Sequence, residues 1–97
     1  MPTYIVLNNY TDQGIRAIKE SPKRLDTTRK AIEAAGGKVL SFYLTMGRYD
    51  SVLIVEGPSD EVAASLALGA GSQGFIRTET LKAFPEADFR KIIAKIP

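Results

Sequence analysis

Residues 3–9 are rich in β-branched and aromatic side chains and stop at an Asn-Asn pair, a pattern that predicts a strand. Past Tyr10, Thr11 is placed to cap a short helix, with Asp12 near the positive end of its dipole and Ile15 and Ile18 on one face. Ser21-Pro22 predicts a restart, with serine as N-cap and proline at the first helical position. The helix should run to about residue 35, burying a stripe of Leu25, Thr28, Ile32 and Ala35. Lys23, Arg24, Asp26, Arg29, Lys30 and Glu33 fall on the solvated remainder. Gly36-Gly37 ends it.

A second strand is expected over residues 39–46, with Leu40, Phe42, Leu44 and Met46 on one face and Ser41, Tyr43 and Thr45 on the other. The connection over residues 47–50 is so short that a third strand, 51–56, should close an antiparallel hairpin, the sheet's centre of order. Ser59 caps a second long helix, with Asp60 and Glu61 in its first turn, and the glycine-rich stretch 69–74 should stop it. Residues 75–84 read as a fourth strand closed by Pro85. Residues 88–96 read as an amphipathic tail helix carrying Phe89, Ile92, Ile93 and Ile96.

The order βα-ββ-αβ predicts an α+β fold: a ferredoxin-like βαββαβ sandwich, a four-stranded antiparallel sheet with two helices on one face, built by a single domain over residues 1–97. The first and third strands are apolar in both alternations, so the face away from the helices is expected to be covered by another chain. A chain of 97 residues also buries too small a fraction of its surface to make such help superfluous.

Composition narrows the chemistry. With 44% hydrophobic and 25% charged residues the chain is ordinary folding material. Its 13 basic and 11 acidic residues are interleaved, leaving +2 with no basic block to suggest nucleic acid. There is no cysteine and no histidine, which removes thiolate nucleophiles, disulfides, the commonest metal ligand and the usual general base. Neither a metal nor a bound cofactor is expected. No apolar run approaches the roughly 20 residues of a membrane span, and no leader pattern opens the chain, so a cytoplasmic protein is expected.

Five residues are candidates for ligand contact. Tyr49 beside Asp50 in the hairpin connection can bind a polar molecule or relay a proton, although turn chemistry explains the same residues. Arg77 and Glu79 share one face of the fourth strand, where a guanidinium suits a carboxylate or phosphate and an ion pair between strands or subunits is the competing role. Tyr43 stands on the open face of the second strand. The glycines of 69–74 follow a helix and precede a strand, the reverse of a phosphate-binding loop. The basic residues around 19–30 are diluted by Glu20, Asp26 and Glu33 and read as a solvated face.

Thr11-Asp12-Gln13-Gly14, Ser21-Pro22-Lys23-Arg24, Phe42-Tyr43-Leu44, Gly47-Arg48-Tyr49-Asp50 and Arg77-Thr78-Glu79-Thr80-Leu81 together resemble the GYD family of small bacterial and archaeal proteins. Gly47, Tyr49 and Asp50 stand at its namesake positions, with Arg48 in the variable place. What the resemblance implies is mostly architecture: a dimeric α/β barrel, in which two ferredoxin-like sheets meet face to face and clefts between sheet and helices host small organic ligands. Three functions follow as expectations. The first is a homodimer, or a multiple of dimers, that binds a small organic or anionic molecule or has a regulatory role. The second is an enzyme needing neither metal nor cofactor, similar to the monooxygenases and muconolactone-type isomerases of that fold. The third is a structural or signalling subunit, for which the short 47–50 connection lacks the long loop of PII-like regulators.

Overall fold

A computed structural model describes residues 1–97. The elements are β1 (Thr3–Tyr10), α1 (Asp12–Arg16), α2 (Ser21–Ala34), β2 (Lys38–Leu44), β3 (Ser51–Glu56), α3 (Asp60–Ser72), β4 (Ile76–Ala83) and α4 (Glu86–Ala94). The sheet is four-stranded in the order β2-β3-β1-β4, with every neighbouring pair antiparallel, which is the ferredoxin-like arrangement. β3 and β1 are the central strands, and β2 pairs with β3 as the expected antiparallel hairpin.

Strand register sorts the side chains into two faces. Toward α2 and α3, Phe42, Leu53, Val6 and Thr80 form one row across the sheet, and Val39, Val55, Tyr4 and Lys82 the next. Leu44, Ser51, Asn8 and Thr78 form a third, more polar row. A bulge at Leu40 lies between Val39 and Ser41, so Val39 and Phe42 both join the core while Leu40 is 44% exposed. The expected alternation of Leu40, Phe42, Leu44 and Met46 therefore breaks, and Met46, 98% exposed, lies beyond the strand.

The helices show one further departure. Ser21 does not cap α2: it is the first residue of the helix, Glu20 occupies the cap position without a side-chain bond, and the Ser21 hydroxyl meets the Tyr10 hydroxyl at 3.1 Å. The helix α3 ends at Ser72, inside the glycine-rich stretch 69–74, as expected. The Ser59 hydroxyl accepts the Val62 N–H at the N-terminus of α3, and the alanines 63, 64, 67 and 70 sustain the helix against the glycine penalty. Gly74, with φ +87°, makes the turn into β4.

Tyr4, Ile32, Leu53 and Val55 are the buried apolar residues, with Leu25, Val39, Phe42, Ala63 and Leu66 packed around them. Only 8 of 97 residues are buried, a small core for a chain of this length. The apolar side of α4, with Phe89 54%, Ile92 41% and Ile93 48% exposed, is not applied to the sandwich. No helix is long and apolar enough to cross a membrane.

Candidate functional site

Between the helix-facing side of the sheet and helices α2 and α3 lies a cavity of about 530 Å³, within the range of small-molecule sites. It follows β1 from Tyr4 to Tyr10, about 20 Å at the usual strand rise. Alternation places Tyr4, Val6, Asn8 and Tyr10 along its floor. The helical spacing of Ser21, Arg24, Leu25, Thr28 and Ile32 sets one wall from α2.

The two ends differ in chemistry. At the first, the Tyr4 hydroxyl donates to Asp60 Oδ1 at 2.6 Å, and Lys82 Nζ reaches Asp60 Oδ2 at 3.1 Å, tying β1, α3 and β4 together. The bond to Asp60, helped by burial and by the charges of Asp60 and Glu61, pushes the Tyr4 phenol up to about 12. The same bond, followed by that from Lys82, holds the Asp60 carboxyl below its usual value. The folded chain thus keeps the Tyr4 proton more tightly than the unfolded chain. Its contribution to stability is whole below pH 10 and is lost as pH rises toward about 12. That of Asp60 is present above the ordinary carboxylate value and is lost as pH falls through its lowered one. Tyr4→Phe is expected to lower the thermal midpoint at neutral pH and to remove the extra fall above pH 10, read from melts on either side of that pH.

At the other end the floor turns polar. Asn8 is 8% exposed, its Nδ2 donates to Ser51 Oγ at 3.2 Å, and its Oδ1 accepts from no protein group. Tyr10 and Ser21 place their hydroxyls beside it, and Arg24 stands one helical turn beyond Ser21. The Arg24 guanidinium donates to the Ala17 carbonyl at 3.0 Å and lies 4.2 Å from the centroid of the Phe75 ring. Expected from the sequence to be solvated, Arg24 is instead half-buried on the cavity wall.

None of the five candidates proposed from the sequence lines this cavity. Tyr43, Arg77 and Glu79 stand on the opposite face of the sheet, in register with Val52, Asn9 and Leu7. Tyr49 donates to Glu79 Oε2 at 3.1 Å, and Arg77 has no carboxylate within ion-pair distance. Asp50 Oδ2 accepts the Tyr10 N–H at 2.9 Å, so the carboxylate fixes the hairpin connection to the end of β1 and not to the turn's own amides. Gly47 makes that turn with φ +122°. No three carboxylates gather closely enough to hold a metal ion. The polar end of the cavity escaped the sequence reading, although Asn8 between Val6 and Tyr10 on a core-facing alternation, opposite Ser51, was its visible signal.

A protein from Thermus thermophilus, the glutamine synthetase and cystathionine beta-lyase binding protein, is 36% identical over 89 residues, covering 91% of this chain and 94% of its own. The crystal structure of TTHA0845, also from Thermus thermophilus, superposes with a TM-score of 0.55 at 28% identity over 88% of this chain and 95% of its own. FFRP-DM1 shares the fold, with a TM-score of 0.58 at 20% identity over 87% of this chain and all of its own, 100%. The GYD domain pattern itself matches residues 4–93, nearly the full length with the hairpin glycine, tyrosine and aspartate inside it, and the chain belongs to the GYD family.

Proposed function

We propose that this chain is a binding protein of the regulatory kind, acting in the cytoplasm as a homodimer or a multiple of dimers and responding to a small organic molecule held between sheet and helices. The observation that carries the proposal is the cavity of about 530 Å³ between the sheet and helices α2 and α3, apolar along its middle with polar groups toward each end. The name of the Thermus relative, which records binding to two enzymes, supports docking on a larger protein as the output. The groups along the cavity suit holding a molecule better than transforming one, since the chain has neither histidine nor cysteine and the Tyr4 phenol is pushed away from neutrality.

Self-association is supported by the uncovered face of the sheet. Ile54, Ile5 and Leu81 form a row across it, flanked by Val52 and Leu7, with Tyr43, Glu79, Arg77 and Glu56 around the margin. An apolar centre inside a polar rim is the anatomy of a protein interface. In the paired form Tyr43, Arg77 and Glu79 would line the seam, with Tyr49 and Asp50 at the hairpin beside it. A ligand shared between copies is the form in which these five act as binding residues.

Native mass spectrometry on untagged protein purified from its own cells reads subunit number and retained small molecules together. A dimer or multiple of dimers carrying a reproducible added mass is expected. A bare monomer at micromolar concentration would overturn the proposal.

A further inference from the structure

We infer that the polar end of the cavity is a seat for a carboxylate carried on an apolar body, with Arg24 as the group that holds it. The inference rests on the ligand-binding reading above and specifies the chemical class of the ligand.

Arg24 is fixed without being neutralised. Its guanidinium is oriented by the Ala17 carbonyl at 3.0 Å and by the Phe75 ring at 4.2 Å, and neither of these carries a charge. None of the three ion pairs of the chain includes it. A guanidinium has five N–H donors in a planar fork, so one bond to a carbonyl leaves a bidentate edge for a carboxylate. Glu56, the carboxylate bordering the cavity, sits at the far end of β3, five residues beyond the Ser51 that pairs with Asn8, or about 17 Å along the strand. Arg24 is half-buried, makes no ion pair, and has no carboxylate lining the cavity at its end, which favours an anion there.

The surroundings set the rest of the ligand. The Tyr10 and Ser21 hydroxyls share one hydrogen bond at 3.1 Å, and the O–H not used in it can donate to the second carboxylate oxygen, with Ser21 one helical turn from Arg24. Past Asn8 the floor and wall become Val6, Leu53, Val55 and Ile32, so the body of the ligand is apolar and lies along β1. A phosphate dianion fits less well. The neighbouring cation, Lys23, is 85% exposed and paired with Glu20, which leaves a single positive charge at the seat.

The test titrates 4-phenylbutyrate and its neutral analogue 4-phenylbutanamide by calorimetry into the full chain and into Arg24→Gln. The intact protein is expected to prefer the carboxylate by about tenfold or more. In Arg24→Gln that preference should fall toward unity while the amide binds within about twofold of its original strength. The same preference in both proteins would overturn the carboxylate seat and leave the ligand cavity standing. Failure of both proteins to bind either probe would overturn the cavity reading and the seat with it. Should Arg24→Gln not fold, the Arg24 Nε–Hε resonance of the unmodified protein decides: it should move with the carboxylate and not with the amide, and a resonance that stays still with both overturns the inference.

Discussion

Gly14→Ala is expected to destabilise the chain by about 3 kcal/mol, because the added methyl would be driven into backbone and not into a side chain that can turn aside. A Cβ at Gly14 would overlap the carbonyl oxygen of Phe75, which already accepts the Thr11 N–H at 3.1 Å. Thr11 in turn donates its hydroxyl to the Gly74 carbonyl at 2.6 Å and accepts the Gly14 N–H at 3.0 Å. These bonds clamp the start of α1 to the segment entering β4, and the whole clamp depends on a residue without a side chain. For a domain of this size the loss corresponds to a midpoint roughly 12–24 °C lower in a circular-dichroism melt. Gly69→Ala is the control: nothing lies within 4 Å of its added Cβ on α3, so it should raise stability by about 0.5–1 kcal/mol. If the two variants melt alike, the close approach of α1 to Phe75 is not a feature of the protein in solution.

The clamp also reaches the site. Phe75, whose carbonyl packs against Gly14, carries the ring on which the Arg24 guanidinium rests. A displaced Phe75 would withdraw one of the two supports that orient Arg24, so Gly14→Ala should weaken carboxylate binding even below its melting transition. The Thr-Asp-Gln-Gly stretch at 11–14 thus bears on the proposed carboxylate seat through packing, and none of its residues lines the cavity.

What could be read from the chain depended on how local its cause was. The caps at Thr11 and Ser59 and the alternation of β1 and β3 follow from residues adjacent in sequence, and these were legible. The bulge at Leu40 was not, because one extra residue in β2 shows only against the register of β3. The end of α3 was legible, since the helix stops at Ser72 inside the glycine-rich stretch 69–74. The candidate site was least legible of all. Aromatic and charged residues in the hairpin and on β4 drew attention, whereas the cavity exists only because two helices stand off the sheet, a distance no periodicity encodes. Arg24 shows the difference most clearly. Among basic neighbours it reads as solvated, yet the Phe75 ring that draws it inward lies far away along the chain.

Ile54→Lys is expected to convert the proposed dimer to monomer, raising its dissociation constant at least about 100-fold, since burying an unpaired charge in an interface costs several kcal/mol and symmetry imposes it twice. Ile54 lies in a central strand between Ile5 and Ser41, at the middle of the uncovered face, so pairing of two such faces would place both lysines in the apolar patch with only the rim charges of Glu56 and Glu79 within reach. The substitution should spare the single chain, because this side of the sheet faces away from Tyr4, Leu53 and the rest of the core; far-ultraviolet circular dichroism should be unchanged. Leu68→Lys provides the comparison: at 76% exposure on α3, away from that face, it should leave association untouched. Sedimentation velocity across a concentration series distinguishes the cases. If Ile54→Lys sediments as the unmodified protein does, this face is not the one that pairs, and association would have to use another surface. The exposed Phe89, Ile92 and Ile93 of α4 are then the next residues to substitute, because a nine-residue helix is marginal in water until its apolar side is covered.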